Sequence, residues 1–215
     1  MAKVNYHLQL EETIKQMETT GTTPTLLLHS CCAPCSSYIL EYLSQYFAIT
    51  VFYYNPNIAP KAEFQFRSQE QQRLIGELPQ KHPITYIEGT YDSERFYALA
   101  KGLENEPEGG ERCRRCFQLR LEEAALLAQK GDFDFFTTTL SISPHKNASV
   151  LNGIGETLSK EYGVSYLYSD FKKKNGYRRS CELSQLYDMY RQDYCGCVFS
   201  KAESEARKQL STPNE

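Results

Sequence analysis

The chain has 215 residues, of which 40% are hydrophobic and 24% are charged, and its formal net charge is −3. A globular protein of this length buries a core without needing disulfides, and this charge excludes a strongly basic protein that coats nucleic acid. Eight cysteines accompany only three methionines and no tryptophan. This excess of thiols indicates metal or redox chemistry.

Residues 1–12 are polar and charged and lack the apolar core of a signal peptide. No apolar run approaches the roughly 20 residues that a membrane span requires. We therefore expect a cytoplasmic protein without membrane contact and, as the default, a monomer. Because cytoplasmic thiols are kept reduced, the cysteines are expected to be metal ligands or redox catalysts rather than structural disulfides.

The first half of the chain alternates helical and strand patterns. Apolar residues at helical spacing predict an N-terminal helix over residues 1–22, and the apolar run Thr25 to Leu28 predicts a buried strand. Helical spacing resumes at Tyr38. The further predicted elements are a strand Ile49–Tyr54, a charged helix Lys61–Leu78, a strand Ile84–Ile87 and a helix Asp92–Gly102.

The second half continues the alternation after a loop rich in Gly and Glu over residues 105–111. The predicted elements are a helix Phe117–Gln129, a strand Phe133–Leu140, a helix Leu151–Tyr162, a strand Val164–Tyr168 and a helical C-terminal tail over 180–208, interrupted by Cys195-Gly196-Cys197. Strands that alternate with helices predict an α/β fold with a mostly parallel sheet. We expect a single metal-binding domain over residues 1–215.

Chemically distinctive residues follow three of the predicted strands. A loop rich in cysteine, residues 29–35, follows the first strand, and a Ser-Pro-His loop, residues 143–145, follows the fourth. Asp170 follows the fifth. In parallel sheets, sites gather beyond the carboxyl ends of the strands. We therefore expect the three loops to meet at one site.

Seven of the cysteines form three groups. The first group is Cys31, Cys32 and Cys35, at the start of the helix that follows the first strand. The second is the C-x-x-C pair Cys113 and Cys116, just before the predicted helix Phe117–Gln129. The third is Cys195 and Cys197, on either side of a glycine. A thiol at a helix N-terminus has a lowered pKa, which favours the thiolate that binds metal or attacks a disulfide. Seven thiols exceed what one structural zinc uses. An iron–sulfur cluster with a second redox or metal function, a zinc site and dithiol chemistry all remain open.

Polar residues near these loops have candidate roles as well. His145 is a candidate proton donor or phosphate contact, and Asp170 is a candidate general acid or base. We interpret His29 as a structural histidine and Cys181 as a buried small hydrophobe. One basic run with an aromatic residue within it predicts contact with a phosphate-bearing substrate such as RNA. The run comprises Lys172, Lys173, Lys174, Tyr177, Arg178 and Arg179.

Six short stretches follow one another across most of the chain. They are His-Ser-Cys-Cys-Ala-Pro-Cys at 29–35, Tyr-Tyr-Asn-Pro-Asn-Ile at 53–58, Cys-Arg-Arg-Cys-Phe at 113–117, Thr-Thr-Thr-Leu-Ser-Ile-Ser-Pro-His-Lys at 137–146, Asp-Phe-Lys-Lys at 170–173 and Tyr-Arg-Gln-Asp-Tyr-Cys-Gly-Cys at 190–197. Together these stretches resemble the QueH-type epoxyqueuosine reductases, which finish the queuosine modification of tRNA. The double cysteine combined with the late Cys-Gly-Cys makes the resemblance specific.

The resemblance implies a Rossmann-like parallel sheet related to the adenine-nucleotide α-hydrolase group, with cysteines in place of the ATP-binding glycine loop. It implies a [4Fe–4S] cluster, whose ligands would be Cys31, Cys32, Cys113 and Cys116. Cys195 and Cys197 would form a redox-active pair, and Cys197 is also a candidate metal ligand. Cys35 stands where some relatives carry Asp, a position implied to help bind a second, mononuclear iron.

The implied reaction is the reduction of epoxyqueuosine to queuosine in a tRNA with a GUN anticodon, the last step of tRNA queuosine biosynthesis. Removal of the epoxide oxygen takes two electrons and two protons and yields an alkene and water, so an external electron donor is expected. Asp170 or His145 would supply a proton to the oxygen. The residues expected to bind the tRNA are Lys172, Lys173, Tyr177, Arg178 and Arg179.

Two other functions remain as alternatives. One is a zinc-stabilised RNA-binding module without catalysis, whose zinc thiolates would be colourless and redox-inert. The other is a thioredoxin-like thiol oxidoreductase that uses Cys32 and Cys35, which form a Cys-Ala-Pro-Cys motif after a strand. The second alternative predicts disulfide reductase activity without metal and leaves the other cysteine groups unexplained.

Overall fold

The computed structural model describes residues 4–211 of the chain, and within this part five strands form one sheet. The strands are β1 (Thr25–His29), β2 (Ala48–Tyr53), β3 (Ile84–Glu88), β4 (Phe135–Thr138) and β5 (Ser165–Tyr166). The helices are α1 (Tyr6–Thr20), α2 (Ala33–Leu43), α3 (Lys61–Glu77), α4 (Ser93–Ala100), α5 (Glu111–Lys130), α6 (Ala148–Tyr162), α7 (Gly176–Leu186) and α8 (Val198–Ser211). One turn of 3-10 helix, Thr139–Ile142, follows β4.

The sheet is parallel throughout, and β1 lies at its centre. The spatial order is β3-β2-β1-β4-β5, so the chain first builds outward from β1 on one side and then returns to the other side with β4. A ligand site forms beyond the carboxyl ends of the strands where the strand order reverses in this way. His29 and Thr138, the last residues of β1 and β4, are partners in the ladder. The segments that follow these two strands therefore start side by side.

Helices cover both faces of the sheet, so β1 is buried on both sides. Leu26 and Leu28 belong to one core cluster, with side chains of α1, α2 and α3. Leu27 belongs to the other, with side chains of α5 and α6. All three leucines are 0% exposed, and burial of each contributes about 1.5–3 kcal/mol. The predicted α/β fold, with a Rossmann-like parallel sheet and a helical C-terminal tail, is confirmed.

The predicted N-terminal helix over residues 1–22 is shorter at both ends. Residues 1–3 lie outside the described residues, and α1 begins after Asn5, whose side chain accepts a hydrogen bond from the Leu8 backbone N–H at 3.4 Å. The helix ends at Thr20 because Gly21 adopts a left-handed φ of 65°.

The last two predicted strands are also shorter than expected. The fourth ends at Thr138, whose side-chain oxygen accepts a hydrogen bond from the Leu140 backbone N–H at 3.2 Å and so starts the 3-10 turn. The fifth contains only the two residues of β5. Beyond it, the Leu167 carbonyl accepts a hydrogen bond from the Thr137 side chain at 2.8 Å instead of continuing the backbone ladder.

Two predicted helices begin earlier than expected. The helix associated with the second cysteine pair begins at Glu111, so Cys113 and Cys116 lie within α5 and not in a loop before it. The C-terminal tail begins at Gly176, and residues 187–197 interrupt it between α7 and α8. Within residues 4–211, no helix combines the length and the apolar character that crossing a membrane requires.

Candidate functional site

The loop after β1 places three thiols in one small volume. The Sγ atoms of Cys31, Cys32 and Cys35 all lie within 4.8 Å of one another, and those of Cys31 and Cys32 are 3.8 Å apart. Cys32 is extended, with φ −173° and ψ 160°, and the next residue already belongs to α2. Pro34 stands in the first turn of α2, where its missing N–H costs nothing. Because the chain turns here, adjacent cysteines that would diverge in a strand share one site.

The close packing of this cysteine trio separates the pKa values of its members. Hydrogen bonds from the thiols of Cys32 and Cys35 hold the pKa of Cys31 well below its usual range. The same contacts raise the pKa of Cys32 to about 12 and raise the pKa of Cys35 as well. The trio therefore carries one negative charge readily, and a metal ion must displace the remaining protons.

The other two cysteine groups lie next to the trio. Cys113 packs against the buried cluster that contains Cys31. Cys116 and Cys197 are both buried and share a small apolar cluster between α4 and α8. Burial, together with the nearby thiols of Cys195 and Cys197, raises the pKa of Cys116 to about 12 against the opposing charge of Arg120. The structure thus brings together all three groups that the sequence singles out, and all of these cysteines are free thiols.

Two cations interact with more than one cysteine group. Arg120, on α5, is only 1% exposed, and Lys146, just after the 3-10 turn, is half-buried. Burial opposes the charge of Arg120, but thiolates from all three groups raise its pKa. Burial likewise opposes the charge of Lys146, but the thiolates of Cys195 and of the trio raise its pKa. The site is therefore a thiolate-rich centre with positive charge placed against it.

A cavity of about 360 Å³ opens beside the trio. All three cysteines of the trio line it, and so does the segment 191–195, which includes Cys195. Residues 142–146 and Tyr177 complete the rim. A concave site of this size that combines thiols, cations and an aromatic ring is suited to one heterocyclic group of a larger substrate.

The two predicted proton donors occupy different places. His145 is exposed and lines the cavity beside the trio. Asp170 lines a second cavity of about 720 Å³, where its carboxylate accepts a hydrogen bond from Lys172 at 2.7 Å. The two cavities share residues 144–146 and are therefore neighbours.

The predicted basic run is divided among three places. Lys172, Lys173 and Lys174 line the second cavity, and Tyr177 lines the first. The two arginines of the run face a groove that also contains Glu41 and Glu182. There Arg179 pairs with Glu41 at 2.6 Å and Arg178 pairs with Glu182 at 3.1 Å. Because α7 begins at Gly176, successive side chains of the run point in different directions around a helix.

Neither His29 nor Cys181 lines the cavity beside the trio. Both ring nitrogens of His29 have partners, Thr138 Oγ1 at 2.8 Å and the Tyr54 carbonyl at 3.1 Å. Because the carbonyl only accepts, Nε2 carries the proton and Nδ1 accepts from the threonine, and burial lowers the pKa of His29 to about 3. The interpretation of His29 as structural is confirmed. Cys181 is half-buried on α7, less buried than expected.

Sequence reasoning missed the cations and aromatic contacts that support the site. Arg67, on α3, is 1% exposed and donates to the Cys195 carbonyl at 3.2 Å. Arg191 donates to the Tyr177 hydroxyl at 3.2 Å, and its guanidinium lies 5.5 Å from the centre of that ring. Lys146 could have been singled out, because it ends one of the six distinctive stretches. Arg67 and Arg120 lie in helices and belong to none of these stretches.

The donor set fits a thiolate-bound metal centre. Tetrahedral sulfur ligands at about 2.3 Å from one metal lie about 3.8 Å from each other, which is the separation of Cys31 and Cys32. The three thiols of the trio thus form the tightest group, and Cys195 lines the same cavity. A buried donor, Nη2 of Arg120, has no hydrogen-bond partner among the described residues and is available to an acceptor at the site.

Comparisons with known proteins agree with these features. The sequence model of the family described as epoxyqueuosine reductase QueH matches residues 26–203. Relatives with that name include one from Streptococcus pyogenes serotype M1, 45% identical over 200 residues that cover 92% of this chain and 78% of the relative. One from Staphylococcus epidermidis is 45% identical over 202 residues, 92% of this chain and 85% of the relative. One from Thermotoga maritima is 35% identical over 185 residues, 83% of this chain and 91% of the relative.

Proposed function

The chain belongs to the epoxyqueuosine reductase QueH family, and from that premise we propose that it reduces epoxyqueuosine to queuosine in a tRNA with a GUN anticodon. This would be the last step of tRNA queuosine biosynthesis. The reaction removes the epoxide oxygen as water with two electrons and two protons and leaves an alkene. The observation that carries the proposal is a cavity lined both by the close cysteine trio and by Cys195.

The proposed cofactor is a [4Fe–4S] cluster held by Cys31, Cys32, Cys113 and Cys116. A second, mononuclear iron would use Cys35. When bound, the cluster would supply electrons one at a time. The spacing of the trio, the packing of Cys113 against it and the buried cations beside it support a negatively charged thiolate centre.

Cys195 and Cys197 are proposed as the redox-active pair. Cys195 lines the cavity, and the Cys197 sulfur accepts a hydrogen bond from the Ser200 backbone N–H at 3.4 Å. In the reaction this dithiol would assist at the epoxide oxygen, while the two electrons would come one at a time from the cluster and the external donor would replace them.

The residues at the rim of the cavity are proposed to bind and protonate the substrate. His145 stands where the two cavities meet and would donate a proton to the leaving oxygen, and Lys146 would stabilise negative charge on that oxygen. Asp170, held by Lys172, is the alternative donor. Tyr177, backed by the Arg191 guanidinium, would stack on a base.

The tRNA backbone is proposed to follow the second cavity. Lys172 and Lys173 line it and would bind phosphates, and residues 144–146 connect it with the thiols. Arg178 and Arg179 would bind phosphates farther along α7. We propose that the chain acts in the cytoplasm as a monomer and as one metal-binding α/β domain over residues 1–215.

Anaerobic purification followed by a visible spectrum, metal analysis and a turnover assay tests the proposal. We expect a brown protein with about four irons and four sulfides per chain, to which the second metal adds, and formation of queuosine in tRNA that carries epoxyqueuosine. A colourless protein that holds only zinc and binds tRNA without turnover would establish the RNA-binding module instead. Disulfide reductase activity without metal would favour the thioredoxin-like alternative.

Cysteine variants test the proposed ligands. Cys32→Ala and Cys116→Ala should each lose the cluster absorbance and the turnover. Cys181→Ala is the matched control, because this half-buried cysteine of α7 does not line the cavity, and it should retain both. Full iron content in Cys32→Ala or Cys116→Ala would exclude that residue as a ligand.

A further inference from the structure

Arg120 is a buried cation with no carboxylate beside it. The residue is 1% exposed, and within residues 4–211 no carboxylate oxygen lies within 4.0 Å of its guanidinium nitrogens. Its Nη1 donates to Asn55 Oδ1 at 3.1 Å, and its Nε donates to the Cys116 carbonyl at 3.4 Å. The third nitrogen, Nη2, is the buried donor without a partner among the described residues.

Two other buried arginines show what is missing at Arg120. Arg112, also 1% exposed and on the same helix, pairs with Glu203 at 3.2 Å. Arg67, equally buried, pairs with Glu63 at 2.7 Å. An unpaired charge in a protein interior is strongly unfavourable, so a buried cation requires an anion nearby. The groups near Arg120 that can become anionic are the thiols of Cys116, Cys195, Cys31 and Cys113, which would turn into thiolates when they bind a metal.

Arg120 also connects two cysteine groups through hydrogen bonds, one of them by way of Asn55. It donates to the carbonyl of Cys116 one helical turn earlier, and Asn55, which accepts from it, donates to the Ser30 carbonyl at 2.8 Å. Ser30 directly precedes Cys31 in the loop after β1. Two buried side chains, Arg120 and Asn55, thus connect α5 to the loop that carries the trio.

We propose that Arg120 is a positioning residue that holds these two cysteine groups against each other and supplies the counter-charge for the anionic group they bind. The inference rests on the proposed function, in that it assumes a thiolate-bound centre that accepts electrons. Each added electron makes such a centre more negative, so a fixed cation favours the reduced form. Arg120 therefore raises the reduction potential of the centre, and it favours binding of any metal that converts neutral thiols into thiolates.

The midpoint potential of the loaded protein tests the charge directly. Arg120→Lys keeps the charge, and its potential should stay near that of the unchanged protein. Arg120→Met removes the charge at similar volume, and at a fixed applied potential its ratio of reduced to oxidised centre should fall at least tenfold. For a one-electron couple this corresponds to a shift of about 59 mV to more negative values. Lys130→Gln, the loss of an exposed cation at the other end of α5, should leave the potential unchanged.

Cobalt binding to the metal-free, reduced protein tests the same charge without the cluster. With four thiolate ligands, Co²⁺ gives a centre that is more negative than the metal-free site with its single thiolate, so its Kd should be at least tenfold weaker in Arg120→Met than in Arg120→Lys. Arg120→Gln, whose amide can still donate to Asn55, is a second neutral variant in case the methionine variant does not fold. Thermal unfolding establishes that each variant is folded before binding is compared.

Equal potentials and equal cobalt affinities in the lysine variant and the neutral variants would overturn the inference. If the unchanged protein takes up no iron–sulfur cluster but the cobalt affinities differ as expected, the counter-charge role stands and the proposed cofactor fails. If the cluster assembles and the potential of the neutral variants does not move, the cofactor stands and the role of Arg120 fails.

Discussion

Gly196 has a φ of +126°, which residues with side chains rarely adopt. A Cβ at this position would lie 2.9 Å from Ile58 Cγ1 and 3.1 Å from Arg67 Nη1. The Gly196 carbonyl also accepts a hydrogen bond from the Ala59 backbone N–H at 3.0 Å. The glycine therefore allows the chain that carries Cys195 to lie directly against its neighbours.

Replacing Gly196 by alanine should reduce the free energy of unfolding by about 1–3 kcal/mol, because alanine is strained at this φ and its methyl group has no room. The iron content should fall with it, since Cys195 and Cys197 are displaced. Gly153→Ala is the control, because Gly153 lies on the exposed face of α6 with nothing within 4 Å of a new Cβ. It should gain about 0.5–1 kcal/mol from helix propensity. Urea unfolding measures the free energy of unfolding of both variants. Equal values for Gly196→Ala and Gly153→Ala would contradict the steric argument.

The reactive residues were partly predictable one at a time. Thiols are rare, so Cys31, Cys32 and Cys35 stand out in any sequence, and the structure places them together. Arg67 and Arg120 were not predictable, because a charge within a charged helix has the pattern of a solvated face. Their burial depends on distant groups, such as the Cys195 carbonyl and the Asn55 side chain, which local sequence does not reveal.

Among the elements, α3 contacts the start of the segment 187–197 through the ion pair of Arg73 and Glu70. Arg73 contacts both carboxylate oxygens of Glu70 at 3.1 Å and also donates to the Tyr187 carbonyl at 3.0 Å. The Tyr190 backbone N–H donates to the same carboxylate at 3.3 Å. This pair therefore fixes the start of the segment that leads to Cys195.

Glu70→Gln should reduce the free energy of unfolding at pH 7 by about 0.5–1 kcal/mol. Hydrogen bonding to Arg73 lowers the pKa of Glu70, so its stabilising effect is present above the ordinary value of 4.5 and is lost as the pH falls through the lowered pKa. The difference between the two proteins should therefore shrink below pH 4.5 in urea unfolding measured from pH 7 downward.

Glu77→Gln serves as the control for this pair. Glu77 also binds Arg73, at 3.0 Å, but its side chain is 42% exposed and no hydrogen bond joins it to the segment 187–197 in the described part of the chain. Its replacement should change stability less than that of Glu70. Glu70→Gln and the unchanged protein could differ in free energy of unfolding by the same amount at every pH down to 3. That result would show that the carboxylate charge contributes nothing.

The early start of α5 shows why element boundaries were harder to predict than their order. Cys-Arg-Arg-Cys has no apolar periodicity, so the pattern placed the helix start after it. Arg112 stabilises the extra turns by donating to the carbonyls of Leu103 and Glu104 at 3.1 Å and 2.9 Å. These partners lie in the preceding loop, and their geometry exists only in the folded chain.

For the whole molecule, the net charge of −3 conceals a local excess of lysine. Lys146, Lys172, Lys173 and Lys174 line the second cavity. Lys172 pairs with Asp170 and Lys174 with Glu11, whereas within residues 4–211 the Lys173 side chain forms no ion pair. Lys173 is therefore the charge most available to a tRNA phosphate.

Lys173→Gln should weaken tRNA binding and reduce the slope of log K against log salt by about 1, because one phosphate contact is lost. Lys130→Gln is the control, since Lys130 ends α5 near the amino ends of the strands, away from the cavities. Its slope should match that of the unchanged protein. Fluorescence anisotropy with tRNA over a range of salt concentrations measures the slope for each variant. Identical slopes for Lys173→Gln and Lys130→Gln would exclude Lys173 from the interface.

The meeting of the loops was predictable from the parallel sheet, because strand ends share one edge. The loops after β1 and β4 do meet at the thiols. The loop after β5 carries Asp170 into the neighbouring cavity instead. β5 is the second strand away from β1, about 10 Å along the sheet at the usual strand spacing, and the alternating pattern does not reveal strand order.

The parallel sheet also has a consequence for how the molecule is made. The partners β1 and β4 are separated by about 110 positions, as in Leu27 and Phe136, and parallel sheets with such distant contacts fold slowly. At about 5–20 residues per second of synthesis, Cys197 leaves the ribosome about 8–32 s after Cys35. Throughout that interval the first three thiols are exposed to oxygen and to any available zinc. Assembly of the proposed metal centre is therefore expected to follow synthesis of Cys197 and to depend on delivery of the correct metal at that stage.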